Sequence, residues 1–202
     1  MRIGSTLDRI GALHERVFGA IQRGTEDWLP GLLARLVFAS VLFVYYINSA
    51  QTKVGEGLVG FFQPTPGAYI QILGFPALDA AGGDPAALPL LSKLIVFAGT
   101  YAEFALPILL VIGLFSRIAA LGMIAFIAVQ SWVDVTLHEL DEKSVGAAFD
   151  RFPDAIIMDQ RLLWLFPLAY VVLRGPGLVS LDRLLFGWRE REERWGTVQP
   201  AE

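Results

Sequence analysis

The stretch Leu88–Leu114, LPLLSKLIVFAGTYAEFALPILLVIGL, decides the fold class. At about 1.5 Å per helical residue it is longer than the roughly 30 Å of hydrocarbon in a bilayer. It carries only two charges, Lys93 and Glu103. Three further stretches read the same way. Trp28–Asn48 is apolar apart from Arg35, and Ile118–Val135 carries Gln130 and Asp134 near its end. Leu162–Leu173 is cleanly apolar but too short to cross alone. Extended back to Ala155 it reaches spanning length and takes Asp159, Gln160 and Arg161 into its outer part.

Composition agrees. Of 202 residues 54% are hydrophobic and 18% charged, against roughly 25% charged in soluble proteins. Mean hydropathy is +0.53, which excludes a disordered chain. The absence of cysteine excludes a disulfide framework, thiol catalysis by this chain, and cysteine-ligated zinc or iron–sulfur. A net charge of −4 argues against a nucleic-acid binder. The expected fold is an all-α, integral membrane four-helix bundle with amphipathic surface helices at the N- and C-termini. Residues 28–174 form the bundle, with spans at about 28–48, 88–114, 118–135 and 155–173. A long external loop covers 49–87, and segments 1–27 and 175–202 flank the bundle.

Basic residues orient it. Arg2, Arg9, Arg16, Arg23, Arg117, Arg174, Arg183, Arg189, Arg191 and Arg194 all fall on one side when four spans are counted. The positive-inside rule makes that side cytoplasmic and puts both termini there. In 1–27, Ile3, Leu7, Ile10, Leu13, Val17 and Ile21 share one helical face, and an arginine recurs every seven residues on another. That pattern suits a helix on the membrane surface, the alternative being a helix packed on a soluble partner. Ser180 can cap a second amphipathic helix in which Leu181, Leu184, Leu185 and Trp188 share a face. In the external loop, Gly and Pro break two apolar stretches into one or two short helices, and Asp79–Pro85 reads as an exposed turn.

Charges inside spans are costly and mark candidate sites. Depth arithmetic places Arg35 and Glu103 about 6 Å apart along the membrane normal, within reach of an arginine side chain. They form a candidate intramembrane pair, for chemistry or for helix register. A candidate outer-side cluster contains Lys53, Lys93, Gln130, Asp134, Asp159 and Arg161, with Trp132, Trp164 and Tyr101 nearby. It could hold a polar headgroup such as a quinone or a small anion, or act only as interfacial anchors. His14 and His138 lie outside the spans, which removes a bis-histidine haem. His138 with Glu139, Asp141 and Glu142 reads as a solvated acidic loop rather than a metal site.

The C-terminal motif Gly175-Pro176-Gly177-Leu178-Val179-Ser180-Leu181-Asp182 resembles the Gly-Pro-Gly-x-x-Ser-Leu-Asp ending of the DoxX family. The turn Gly113-Leu114-Phe115-Ser116-Arg117 matches in order, as do Arg35, Lys53 and Ala102-Glu103, over roughly residues 32–182. Asn48-Ser49-Ala50-Gln51-Thr52 stands before Lys53 in place of the usual Gly-x-x-Lys. The resemblance implies a bacterial inner-membrane protein similar to the membrane subunit of thiosulfate:quinone oxidoreductase. It would work with quinone, with no covalently bound cofactor, beside a soluble or membrane redox partner of a sulfur, thiol or oxidative-stress system. The alternatives are a non-catalytic scaffold that anchors a soluble enzyme and a small proton-coupled transporter, the latter motivated by Glu103 and the external loop.

Overall fold

The computed structural model describes residues 4–187, with side chains from residue 8. Arg2, Ile3, Trp188, Arg189, Arg191 and Arg194 lie outside the described residues, as does the side chain of Leu7. The described residues are all-helical, with α1 at Gly4–Thr25 and, among them, four helices long and apolar enough to cross a membrane. These are α2 (Leu29–Gln51), α6 (Leu90–Ile112), α7 (Ser116–Thr136) and α9 (Ile156–Arg174). The first span runs three residues beyond its expected end, because Ser49-Ala50-Gln51 continues the helix. The fourth, whose sequence joins a charged half to an apolar half, is a single helix that opens in a π-helical turn, Ile156–Arg161.

Each span packs on two others: α2 on α6 and α9, α7 on α6 and α9. The four close into an antiparallel ring with both terminal segments at one end and the long loops at the other. The core is a column of side chains that includes Phe38, Leu42, Tyr46, Leu110, Met123, Ile127, Leu168 and Val171. The first loop holds α3 (Gly57–Phe61), α4 (Pro66–Leu73) and α5 (Phe75–Ala80), then a 3₁₀ turn at Pro85–Ala87. Thr65 caps α4 through Ala68 N, and Pro66 occupies its first turn, which suits proline's missing N–H. Ala68, Tyr69 and Leu78 pack with Leu88 and Val96, so the loop is a lid on the loop end of α6. The second loop carries α8 (Glu142–Val145), capped by Asp141, and α10 is Leu181–Phe186.

The terminal end is tied by Arg35. Its Nε donates to Leu110 O at 3.0 Å, Nη2 to Val111 O, and Nη1 to Val179 O and Pro176 O. The last carbonyls of a helix have no partner within it, so a guanidinium five donors wide is well matched to the C-terminus of α6. Asp182 completes the knot. Its carboxylate accepts from Phe115 N at 2.6 Å and Ser116 N at 2.8 Å, which caps α7 from outside. Ser180 caps α10 through Arg183 N and donates to Gly177 O. The motif residues Gly175, Pro176, Gly177, Ser180 and Asp182 therefore form a backbone clasp. Arg117 is exposed at its edge, with its guanidinium over Gly175.

Two glycines make the clasp possible. A Cβ on Gly31 would stand 2.6 Å from Gly177 N, and one on Gly177, where φ is +81°, 2.7 Å from Trp28 O. Gly31→Ala should therefore destabilise the bundle by about 1–3 kcal/mol through overpacking. Gly11→Ala, whose Cβ meets nothing within 4 Å, should leave it unchanged. Thermal unfolding of both variants in detergent checks the contrast.

Candidate functional site

On α6 the buried positions Val96, Thr100, Glu103, Pro107 and Leu110 follow helical spacing. Glu103 therefore points into the bundle. Its partner is not Arg35, as depth arithmetic suggested, but Lys53. The Lys53 Nζ stands 2.7 Å from Glu103 Oε2, and both side chains are only 5% exposed. Ser49 joins them: its hydroxyl accepts from Lys53 Nζ at 2.8 Å and donates to Glu103 Oε1 at 3.4 Å. Two features explain the correction. Arg35 meets the unpartnered carbonyls at the end of α6 before it can reach Glu103 two turns further on. Lys53 lies just past α2, folded inward beneath the first loop, where its own carbonyl accepts from Thr65 N.

The outer-side cluster divides. Arg161 pairs with Asp134 and donates to Ser131 Oγ at 2.9 Å, which ties α9 to α7. Gln130 donates to the Tyr45 hydroxyl at 3.0 Å and accepts from the Tyr46 hydroxyl at 3.3 Å. Asp159 does not face this group: its carboxylate accepts from Ala155 N and caps the start of α9. Lys93 is also apart, donating to Ala86 O at the lid. Tyr101 donates to Phe61 O, and Trp164 stacks 5.8 Å from Tyr45.

A cavity of about 460 Å³ opens between α2, α6 and α7 beneath α4. Its outer part is polar, lined by Ser49, Lys53, Gln71, Gln130, Asp134 and His138. Apolar and small residues line the rest, with Gly99 of α6 under Ile72 of the lid and, deeper in, Leu106 of α6 against Gly122 of α7. Gly122 lets Leu106 pack directly on α7, since a Cβ there would stand 2.8 Å from Leu106 Cδ2. His138 donates its ring N–H to Gln71 O at 3.1 Å, which joins the end of α7 to the lid above the cavity.

Lys53, Gln130 and Asp134 of the expected cluster thus converge, while Lys93, Asp159 and Arg161 do not line the cavity. Sequence reasoning missed Ser49, Tyr45, Gln71 and His138. Ser49 was legible in principle, four residues before Lys53 on one helix face. Gln71 and His138 were not, because only the fold of the loops brings them together. The cavity's charges cancel in pairs, Lys53 with Glu103 and Asp134 with Arg161. It presents hydrogen-bonding groups and little net charge.

Removing one member of a buried ion pair strands the other. Lys53→Met or Glu103→Gln alone should each destabilise the protein by about 3–5 kcal/mol, and the double variant by clearly less than the sum. Unfolding measured across this four-member cycle checks the coupling, and additive losses would contradict it. Comparison of the chain with protein-family models, curated proteins and solved structures gave no match, so the geometry of this cavity and the motifs of the chain carry the functional reading.

Proposed function

We propose that this is a multi-pass bacterial inner-membrane protein, with both termini cytoplasmic, whose loop-end cavity binds the neutral headgroup of a membrane quinone. The observation that carries the reading is the cavity's two-part lining. A polar chamber whose charges are paired opens onto a lining of apolar residues. A headgroup with two carbonyl oxygens and an apolar tail matches both parts. The Tyr45 hydroxyl, which only accepts from Gln130, and the second N–H of the Gln130 and Gln71 amides are the donors available to carbonyl oxygens there, since Ser49 and Lys53 are engaged with Glu103 and each other. The apolar lining of Ile95, Ala102, Phe126 and Val129 is the surface offered to the tail. A bound quinone supplies a two-electron, two-proton acceptor. A small anion fits less well, because Lys53 is already neutralised by Glu103.

The chain then serves as the membrane subunit of a quinone-linked redox system, in keeping with its resemblance to the DoxX family. Because it has no cysteine, sulfur or thiol chemistry belongs to the partner or the substrate. The transport reading is not favoured. The column of Phe38, Leu42, Tyr46, Leu110, Met123 and Ile127 is buried between the clasp and Glu103, and leaves no polar path through the described core. The scaffold reading draws on an apolar patch at the terminal end, where Phe115, Leu184 and Phe186 are exposed.

Binding of a short-chain quinone to purified protein in nanodiscs, followed by tryptophan fluorescence, tests the quinone reading. Saturable binding is expected, with no competition from thiosulfate or sulfite. Gly122→Leu, which crowds the apolar lining, should weaken binding about tenfold or more, a loss of about 1.4 kcal/mol. Unchanged binding in that variant, or displacement by the anions, would refute the site.

A further inference from the structure

One element is used neither by the bundle nor by the cavity. Among the described residues, helix α1 makes no substantial packing contact with any other helix. Yet Ile10, Leu13, Val17, Phe18 and Ile21 share a broad face, with Leu13 62% and Phe18 56% exposed. At 100° per residue this face spans about 140°, wider than the narrow seam of a two-stranded coiled coil. Arg9, Arg16 and Arg23 form a row along one flank. Asp8, Glu15 and Gln22 form a row along the other, and all six are exposed. The helix is also tethered. Only Glu26, Asp27 and Trp28 separate it from α2, and Trp28 Nε1 donates back to Gly24 O at 2.8 Å. Its C-terminal end is held where the first span enters the hydrocarbon.

We infer that α1 docks on the bilayer leaflet at the terminal end of the bundle, rolled so that its arginine flank meets anionic lipid headgroups. The tether puts the helix at the level of the interface, and the wide apolar face suits the boundary of headgroup and acyl chain. Arginine side chains are long enough to bring their guanidinium groups to the lipid phosphates while their stems lie along the apolar face. Asp8 and Glu15 are shorter and turn to water, so opposite signs on the two flanks fix the roll. Each arginine near an anionic surface contributes about fivefold to binding.

The absence of cysteine makes the test direct, because one introduced thiol is one label. Leu13→Cys and Glu15→Cys, each in the full chain, would carry a fluorophore in nanodiscs of zwitterionic lipid and in discs containing anionic lipid. The Leu13 label should be protected from aqueous iodide and quenched by spin-labelled lipid, and the Glu15 label the reverse. Arg16→Gln should lower the docked-to-free ratio about fivefold in anionic discs and leave it unchanged in zwitterionic ones. Equal iodide access at both positions would overturn the inference. So would protection of the Leu13 label that rises with protein concentration in detergent, which would assign the face to a second copy of the chain.

Discussion

An arginine inside an apolar bundle must find its hydrogen-bond acceptors in the protein, because lipid offers none. Arg35 finds four backbone carbonyls, two at the end of α6 and two in the segment after α9. The rest of the structure depends on that contact. It fixes α2 against α6 and brings the C-terminal segment under the bundle. Asp182 is then placed to cap α7. Gly31 and Gly177 are small because backbones meet there, and Gly113 faces the guanidinium itself, where a Cβ would lie 2.9 Å from Arg35 Cζ. A residue that looks catalytic by its depth is thus the fastener of the fold.

With one end fastened, the cavity opens at the other. Along the ring of helices, the two ion pairs occupy the loop-end half, one between α6 and the turn after α2, the other between α7 and α9. Each neutralises a charge that could not remain alone at that depth. What they leave between them is a chamber rich in hydroxyl and amide groups and poor in net charge. That balance separates a neutral headgroup from an anion, and it comes from pairing, not from the kinds of residue present.

The four spans, their shared ends and the amphipathic character of α1 could be read from the chain, because hydrophobic length and periodicity are local properties. The partner of Glu103 could not. Depth along a helix says which charges lie level, but not which unpaired carbonyls intervene, and Arg35 stops at Leu110 and Val111. Nor does it show that a loop folds back, which is how Lys53 comes to lie against Glu103. The same limit applied to the outer set. Six polar residues near one depth divided among a cavity, a helix cap at Asp159, a lid contact at Lys93 and, for Arg161, which does not line the cavity, a tie to Asp134 and Ser131. The Gly-Pro-Gly and Ser-Leu-Asp residues were legible as a motif, while their work as a clasp depended on contacts with α2 and with the turn between α6 and α7.

Photo-crosslinking with an azido-quinone in nanodiscs, followed by mapping of the modified peptide, tests the cavity most directly. Attachment within Tyr45–Lys53 at the end of α2 or Gly122–His138 on and just after α7, suppressed by Gly122→Leu, is the expected result. Attachment at the terminal end, or labelling that unlabelled quinone does not compete away, would contradict it.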